Sequence, residues 1–589
     1  MQSHSKIISI TLNLAENQIK SVIELLDEGA TVPFIARYRK ERTGSLDEVQ
    51  IAAIRDKINQ LRELDKRRET VLKTIKEQGK LTDDLKNKIE SAQTMTELED
   101  LYLPYKPKKR TRATIAKEKG LEPLASYILK QDNHRVSSEA QRFINKEKEV
   151  LNEEEALQGA RDIIAEWINE DQEVRKKLRT LFNKKGIITS KVLKSKEVEG
   201  QKYKDYFEFS EKISKVPSHR LLAMRRGEKE MILSLNISPE EGDAHFIIEK
   251  QFVKSGGEAG EQVQLACKDS YKRLLKPSME TEVRLSSKTK ADEEAIRVFA
   301  DNLKPLLLAP PLGEKNVLAL DPGFRTGCKV VCLNKQGKLL HFTAIYPNEP
   351  QKDSVRAAVE VKSLVEKYNI EAIAIGNGTA SRETEQFAKS IGLPPNVVIA
   401  MVNESGASIY SASEVAREEF PDQDITVRGA VSIGRRMMDP LAELVKIDAK
   451  SIGVGQYQHD VDQNALKQSL DDVVTNCVNA VGVELNTASK QLLTYVSGLG
   501  PQLAQNIVDH RNSEGPFKTR KELQKVPRLG GKAFEQAAGF LRIRNAENIL
   551  DKTAVHPERY GLVKRMAKDV RCTVEDLVKD DKKRSSINL

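Results

Sequence analysis

Three carboxylates and two glycine-rich turns are the residues of this chain whose types and spacing could do chemistry. Asp321 closes the apolar run AsnValLeuAlaLeuAsp (316–321) and stands directly before ProGly. Glu404 follows a second apolar run, AsnValValIleAlaMetVal (396–402), and Asp439 lies in ArgArgMetMetAspProLeuAlaGlu. Carboxylate oxygens are hard ligands suited to Mg²⁺. Acids converging from separate elements can clamp two such ions on the attacking and leaving oxygens of a phosphodiester. Asp before ProGly is also a plain turn former. With 87 acidic residues in the chain, coincidence competes with chemistry for these three.

A different chemistry attaches to ValSerGlyLeuGlyProGlnLeuAlaGlnAsnIleVal (496–508). It matches a helix-hairpin-helix motif, with Gly498, Leu499 and Gly500 as the hairpin and Pro501 at the first helical position. Backbone N–H groups at such a turn make a nest for one phosphate. ValProArgLeuGlyGlyLys (526–532) repeats the design, with Leu529, Gly530 and Gly531 as the turn and Lys532 on the phosphate side. The join between them carries Lys518, Arg520 and Lys521. Two hairpins with a basic join follow a nucleic-acid backbone and do not read bases. Another basic stretch, LeuProTyrLysProLysLysArgThrArg (103–112), holds Lys106, Lys108, Lys109, Arg110 and Arg112 without an acid. It reads either as a solvated turn between helices or as a phosphate-contacting loop. GlyAsnGlyThr (376–379) reads as a tight strand-to-helix turn, with Thr379 and Ser381 as N-cap candidates.

The elements that must position these residues follow from periodicity. The chain has 589 residues, 96 Lys and Arg, a net charge of +9, 31% charged and 39% hydrophobic residues. That length implies several domains. No apolar run approaches the ~20 residues of a membrane span, and no basic-then-apolar leader opens the chain, so the expected location is cytoplasmic. Five cysteines are not a disulfide framework, and Cys328 and Cys332 sit about 13 Å apart along one strand, too far to share a zinc. Residues 1–310 read as helical, with Ile51, Ile54, Ile58, Leu61 and Leu64 at helical spacing and Trp167 assigned to the core. From 312 a three-strand meander precedes alternating helix and strand, which gives a mixed sheet. The fold class is therefore multi-domain and mainly α, with one α/β RNase H-like domain and tandem helix-hairpin-helix motifs.

AspProGlyPheArgThrGly (321–327), GlyAsnGlyThrAlaSerArgGluThrGlu (376–385), AsnGluSerGlyAlaSerIleTyrSerAlaSerGlu (403–414) and ArgArgMetMetAspProLeuAlaGluLeuValLysIleAsp (435–448) resemble the YqgF-type RNase H-like domain of the Tex family of bacterial transcription accessory proteins. ThrValProPheIleAlaArgTyrArgLysGluArgThrGly (31–44) resembles its N-terminal region, and the likeness runs through essentially the whole chain. The resemblance implies a helical region with a helix-turn-helix-like element over 1–310, a YqgF domain over 312–450, a helical linker over 451–485, tandem hairpins over 486–560 and a helical linker over 561–589. The family's C-terminal OB-fold domain is expected to be missing. It further implies a non-enzymatic scaffold in transcription that binds nucleic acid without sequence preference, chiefly RNA and secondarily DNA, beside RNA polymerase. Asp321 and Glu404 take the first two acidic positions of related nucleases. Asp439 lacks a partner one helical turn on, so the implied site is degenerate, with no cofactor beyond a weakly held Mg²⁺. Two alternatives are a metal-dependent nuclease or junction resolvase using Asp321, Glu404 and Asp439, and a protein-interaction scaffold on the polymerase.

Overall fold

The computed structural model describes residues 3–107, 109–132 and 135–587. They form two compact units. The first comprises Lys57–Ala295 with the N-terminal residues to His4 and with His459–Asp462. The second comprises Ser5–Asp56, Ile296–Gln458 and Gln463–Leu589. The division departs from a single N-terminal region over 1–310, because Ser5–Asp56 belongs with residues far along the chain.

Within the first unit most residues are helical, and the acids and caps expected of helix starts are present. Helix Glu153–Glu170 is capped by Asn152, whose side chain accepts from the Glu155 N–H, and opens with Glu153, Glu154 and Glu155 toward the positive end of its dipole. Trp167 on this helix is only half-buried, with the Lys117 ammonium 5.9 Å from its ring centre. A cluster of opposite charges ties three helices: Asp100 accepts from Arg175 Nε (2.8 Å) and Arg179 Nη2 (2.9 Å), and Glu282 accepts from Arg179 Nε (2.7 Å). The unit also holds an antiparallel sheet that the helical reading of 1–310 does not contain. Its strands are β1 (Ile187–Val192), β2 (Glu208–Lys212) and β3 (Leu233–Ser238), in the order β2-β1-β3. In β3 burial alternates strictly, Leu233, Leu235 and Ile237 inward, which is the period of a half-buried strand.

The second unit contains the five-stranded sheet: β4 (Val317–Asp321), β5 (Cys328–Leu333), β6 (Leu339–Ile345), β7 (Ala372–Gly376) and β8 (Val398–Val402). Their order is β6-β5-β4-β7-β8, with β4, β5 and β6 antiparallel and β4, β7 and β8 parallel. Strands β4 and β7 are buried on both faces, which explains their near-continuous apolar sequence. Helices α1 (Ser354–Lys367) and α2 (Ser381–Ser390) supply Val361, Leu364 and Phe387 to one face of the sheet. Beyond the short α3 (Ala407–Ala412), helix α4 (Ile425–Met438) covers the other face with Val427, Ala430, Val431 and Ile433. Gly434 lets α4 lie close, since a Cβ there would meet Leu333 at 2.6 Å. A short α5 (Pro440–Leu444) follows, and then α6 (Gln463–Val481) leads to the hairpins.

Among the described residues no helix is long and apolar enough to cross a membrane.

Candidate functional site

Parallel β4, β7 and β8 end at the same edge of the sheet, and their C-terminal ends bring Asp321, Gly376 and Glu404 together. This is where open α/β sheets place their ligands. Asp321 is the last residue of β4, and Glu404 lies two residues beyond β8. Both line a cleft of about 320 Å³ with Ser408, Ser411, Thr426 and Gly429. Opposite Asp321 across the β4–β5 pair stands Lys329, whose Nζ donates to Thr326 O (2.6 Å). Asp321 is pushed up from an ordinary 3.8 to about 6, first by burial and then by the negative charge of Glu404, while Lys329 pulls it back.

The GlyAsnGlyThr turn exists to admit Glu404. A Cβ on Gly378 would lie 1.8 Å from Glu404 Oε1, and one on Gly376 would lie 2.4 Å from Oε2. Asn377 completes the fit by accepting the Glu404 N–H on its side-chain oxygen (3.1 Å). The N-cap of α2 is Ala380, in left-handed conformation and without a side-chain bond, so neither Thr379 nor Ser381 caps it.

Asp439 does not join the other two acids. It caps α5, its Oδ1 accepting from the Ala442 N–H at 3.0 Å, with Pro440 at the first helical position. The residues of α4 that reach the cleft are Ile425, Thr426, Gly429 and Ile433. Position 439 lies ten residue steps beyond Gly429 along the helix, about 15 Å of rise. The place on α4 that faces Asp321 belongs to Gly429, whose missing Cβ would lie 3.7 Å from Asp321 Oδ2. Counting from the cap Asp424, where α4 begins, would have led to this position. A glycine, however, carries no chemical signal. Among the described residues no group of three or more His, Cys, Asp or Glu side chains is arranged to hold a metal.

The hairpins repeat in geometry as they do in sequence. The Leu499 N–H donates to Val496 O (3.0 Å), and the Leu529 N–H to Val526 O (3.2 Å). Gly498 has φ +76°, and the matching third position of the second turn is filled by Arg528 at φ +66°. Gly500 and Gly530 are the extended N-caps of α7 (Pro501–Glu514) and α8 (Gly531–Ala537). Gly498 is fixed twice over, because a Cβ would also stand 2.5 Å from Gln536 Cβ. Two short parallel strands, β9 (Val483–Glu484) and β10 (Leu541–Arg542), close the module.

Of the basic residues assigned to this surface, Lys518, Lys521 and Lys532 are exposed, as are Gly530 and Gly531. Arg520 is not. At 1% exposure its guanidinium donates to the carbonyls of Leu541 (2.8 Å), Val555 (2.7 Å) and Thr553 (2.5 Å) and to Tyr560 Oη (2.7 Å). It organises the module from within and cannot meet a phosphate. In the first unit, Lys109 and Arg110 are exposed, and Arg110 pairs with Glu118 (3.1 Å). Lys108 lies outside the described residues.

The N-terminal segment Val32–Tyr38 packs on the hairpin module. Tyr38 stacks edge-on against Phe540 at 5.0 Å, and Arg37 Nη1 donates to Asn479 O (3.0 Å). Gln536 bridges in both directions, accepting from the Thr31 N–H (3.1 Å) and donating to Gly29 O (3.1 Å).

Known families match along the chain. The Tex-like protein N-terminal domain matches residues 2–76, the Tex central region residues 131–299 and the Tex protein YqgF-like domain residues 315–438. A helix-hairpin-helix motif matches 478–542, and an HHH domain matches 548–589, a range that includes residues read from sequence as a terminal linker. The chain is 47% identical over 585 residues to the transcriptional accessory protein Tex of Neisseria gonorrhoeae, covering 98% of itself and 76% of that protein. It is 46% identical over 595 residues to protein tex of Bordetella pertussis, covering 98% of itself and 75% of that protein. It is also 34% identical over 591 residues to the S1 RNA-binding domain-containing protein 1 of Homo sapiens, of which it covers 59%. With Tex-family domains matched along its length and these identities over 98% of its length, the chain belongs to the Tex family of transcription accessory proteins.

Proposed function

We propose that this protein is a nucleic-acid-binding scaffold of transcription that grips single-stranded RNA, and DNA secondarily, by its backbone, and that its RNase H-like domain has kept the fold and lost the reaction. One observation carries the second half: Gly429 stands where α4 faces Asp321, while Asp439 is spent on a helix cap. Two-metal cleavage requires enough carboxylate oxygens to hold two ions about 4 Å apart. Asp321 and Glu404 supply acids from two elements only. They fit at most one water-rich Mg²⁺, which neutralises a phosphate without activating the attacking water. The first half is supported by the two turns closed by matching backbone bonds, with Lys518, Lys521 and Lys532 exposed beside them. Phosphate contacts of this kind are indifferent to sequence and weaken with salt.

The convergence of Asp321 and Glu404 favours a metal-dependent nuclease as the second reading, and one experiment tests both. Purified protein is titrated with fluorescent single-stranded RNA and DNA of several sequences across a salt series, then incubated with Mg²⁺ or Mn²⁺. The expected result is similar affinity for all sequences, a log–log salt slope of about 0.7–0.9 per neutralised phosphate, and intact strands. Triple replacement of Lys518, Lys521 and Lys532 by Ala should weaken every complex and flatten the slope. Unchanged affinity in that variant moves the interface elsewhere. Cleavage that disappears in Asp321→Asn makes the nuclease reading the better one.

A further inference from the structure

A second cavity, of about 420 Å³, opens beside the five-stranded sheet and shares no residue with the Asp321 cleft. Ala400 and Val402 of β8, Leu306 and Leu312 ahead of β4, and Arg436 and Met437 of α4 bound it. Strand β8 is the outer strand on this side, with no described strand beyond it. Two bonds set the direction of its backbone: the Val398 N–H donates to Glu371 O (3.1 Å), and Val402 O accepts from the Asn377 N–H (3.1 Å). Residues 398, 400 and 402 therefore bond inward to β7, and the N–H and C=O groups of Ile399 and Met401 point outward. An unpaired row of this kind beside an apolar hollow is complementary to an added strand.

The hollow also has a charge. Arg436 is 4% exposed and forms no ion pair with any described carboxylate. Its Nη1 donates to Asn403 O (2.9 Å) and Ser405 O (2.7 Å), and its Nε has no acceptor. Glu443 and Glu404 act on its charge without forming an ion pair with it, so the unmet need is local: a buried Nε donor without an acceptor is costly unless a partner arrives, and a carboxylate is the group that matches it in charge and geometry.

We propose that the β8 edge and this cavity bind an extended peptide of a partner protein. Its backbone adds a sixth strand along Ile399 and Met401, one large apolar side chain enters the cavity, and an acidic side chain meets Arg436. Only a polypeptide backbone supplies alternating donors and acceptors at strand spacing. The volume lies at the small end of ligand sites and suits a Leu or Phe anchor better than a cofactor. Side chains two residues apart on a strand share a face, so the recognised pattern is an apolar and an acidic residue at that spacing.

The test uses the full chain and a fluorescein-labelled nonapeptide with Leu and Glu two positions apart in an alternating Val/Ser background, followed by anisotropy. The Glu peptide is expected to bind, and its Gln counterpart to bind at least fivefold more weakly. Ala309→Trp, which fills the cavity, should abolish binding. Met401→Pro, which removes an outward N–H but none of the bonds to β7, should weaken it at least tenfold. Circular dichroism and RNA affinity identify variants that fold, and Met401→Pro stands alone if Ala309→Trp does not. Equal binding by wild type and Met401→Pro, or no peptide binding at all, overturns the proposal. Decanoate binding without peptide binding gives the cavity to a small amphiphile and overturns it as well. So does a concentration-dependent dimer that Met401→Pro abolishes in sedimentation, which assigns the edge to a second copy.

Discussion

Replacing Asp321 with Asn should stabilise the protein near neutral pH, by an amount that depends on pH in a defined way. Asp321 ionises near 6 in the folded state, against an ordinary 3.8, because the carboxylate is buried and faces Glu404. The folded protein therefore holds this proton more than a hundredfold more tightly than the unfolded chain does. Above pH 6 the native state must carry an unfavourable charge, and the cost approaches about 3 kcal/mol. The sign follows from linkage. The group's folded value is raised, so its stabilising contribution is fully present below pH 4 and is lost as pH rises through 6. Asn keeps the shape and removes the charge. The variant-minus-wild-type difference should be near zero at pH 4 and grow between pH 4 and 6. It should level off above pH 7 at no more than about 3 kcal/mol, or roughly 6–12 °C in the melting of a domain this size. Thermal unfolding of both proteins in matched buffers from pH 4 to 8 measures it. A difference that is flat with pH, or that favours wild type above pH 7, refutes the claim that Asp321 and Glu404 share a poorly solvated cleft.

Other outcomes follow from single contacts. Gly429→Asp puts a third carboxylate against Asp321, and calorimetry should then detect Mn²⁺ binding stronger than in wild type; no gain means that α4 does not face the acids as described. Gly498→Ala combines a left-handed φ with a 2.5 Å clash on Gln536 and should cost about 2–4 kcal/mol in urea unfolding, whereas Arg528→Gly at the equivalent place should change stability by less than about 1 kcal/mol. Arg520→Ala leaves several buried carbonyls without a donor and should cost about 3–5 kcal/mol. If Arg520→Ala instead kept its stability and lost RNA affinity, the residue would belong to the interface after all.

Much of the α/β domain was legible because β4 and β7 are buried on both faces and read as short unbroken apolar runs between turn formers. The hairpins were legible because their turns need glycine at set places, although Arg528 shows that the second turn tolerates a side chain. Gly429 was silent because its role is the absence of a group. Arg520 misled because a basic residue between two hairpins looks like a phosphate contact until its carbonyl partners, 21 to 35 residues on, are folded around it. The sheet β1–β3 was missed because its strands are five or six residues long and half polar. The union of Ser5–Asp56 with the hairpins rests on contacts across hundreds of residues, which leave no local period.

That union sets a timetable for synthesis. Arg37 and its acceptor Asn479 are 442 residues apart. At roughly 5–20 residues per second, a ribosome needs about 20–90 s to deliver the second after the first. Throughout that interval Phe34 and Tyr38, which the finished protein covers with Phe540 and His556, have only each other and Arg39 of their own segment to lie against. The nascent chain thus emerges with an adhesive apolar face that only its own last tenth can cover, so a stalled or prematurely ended product should expose that face to chaperones and proteases.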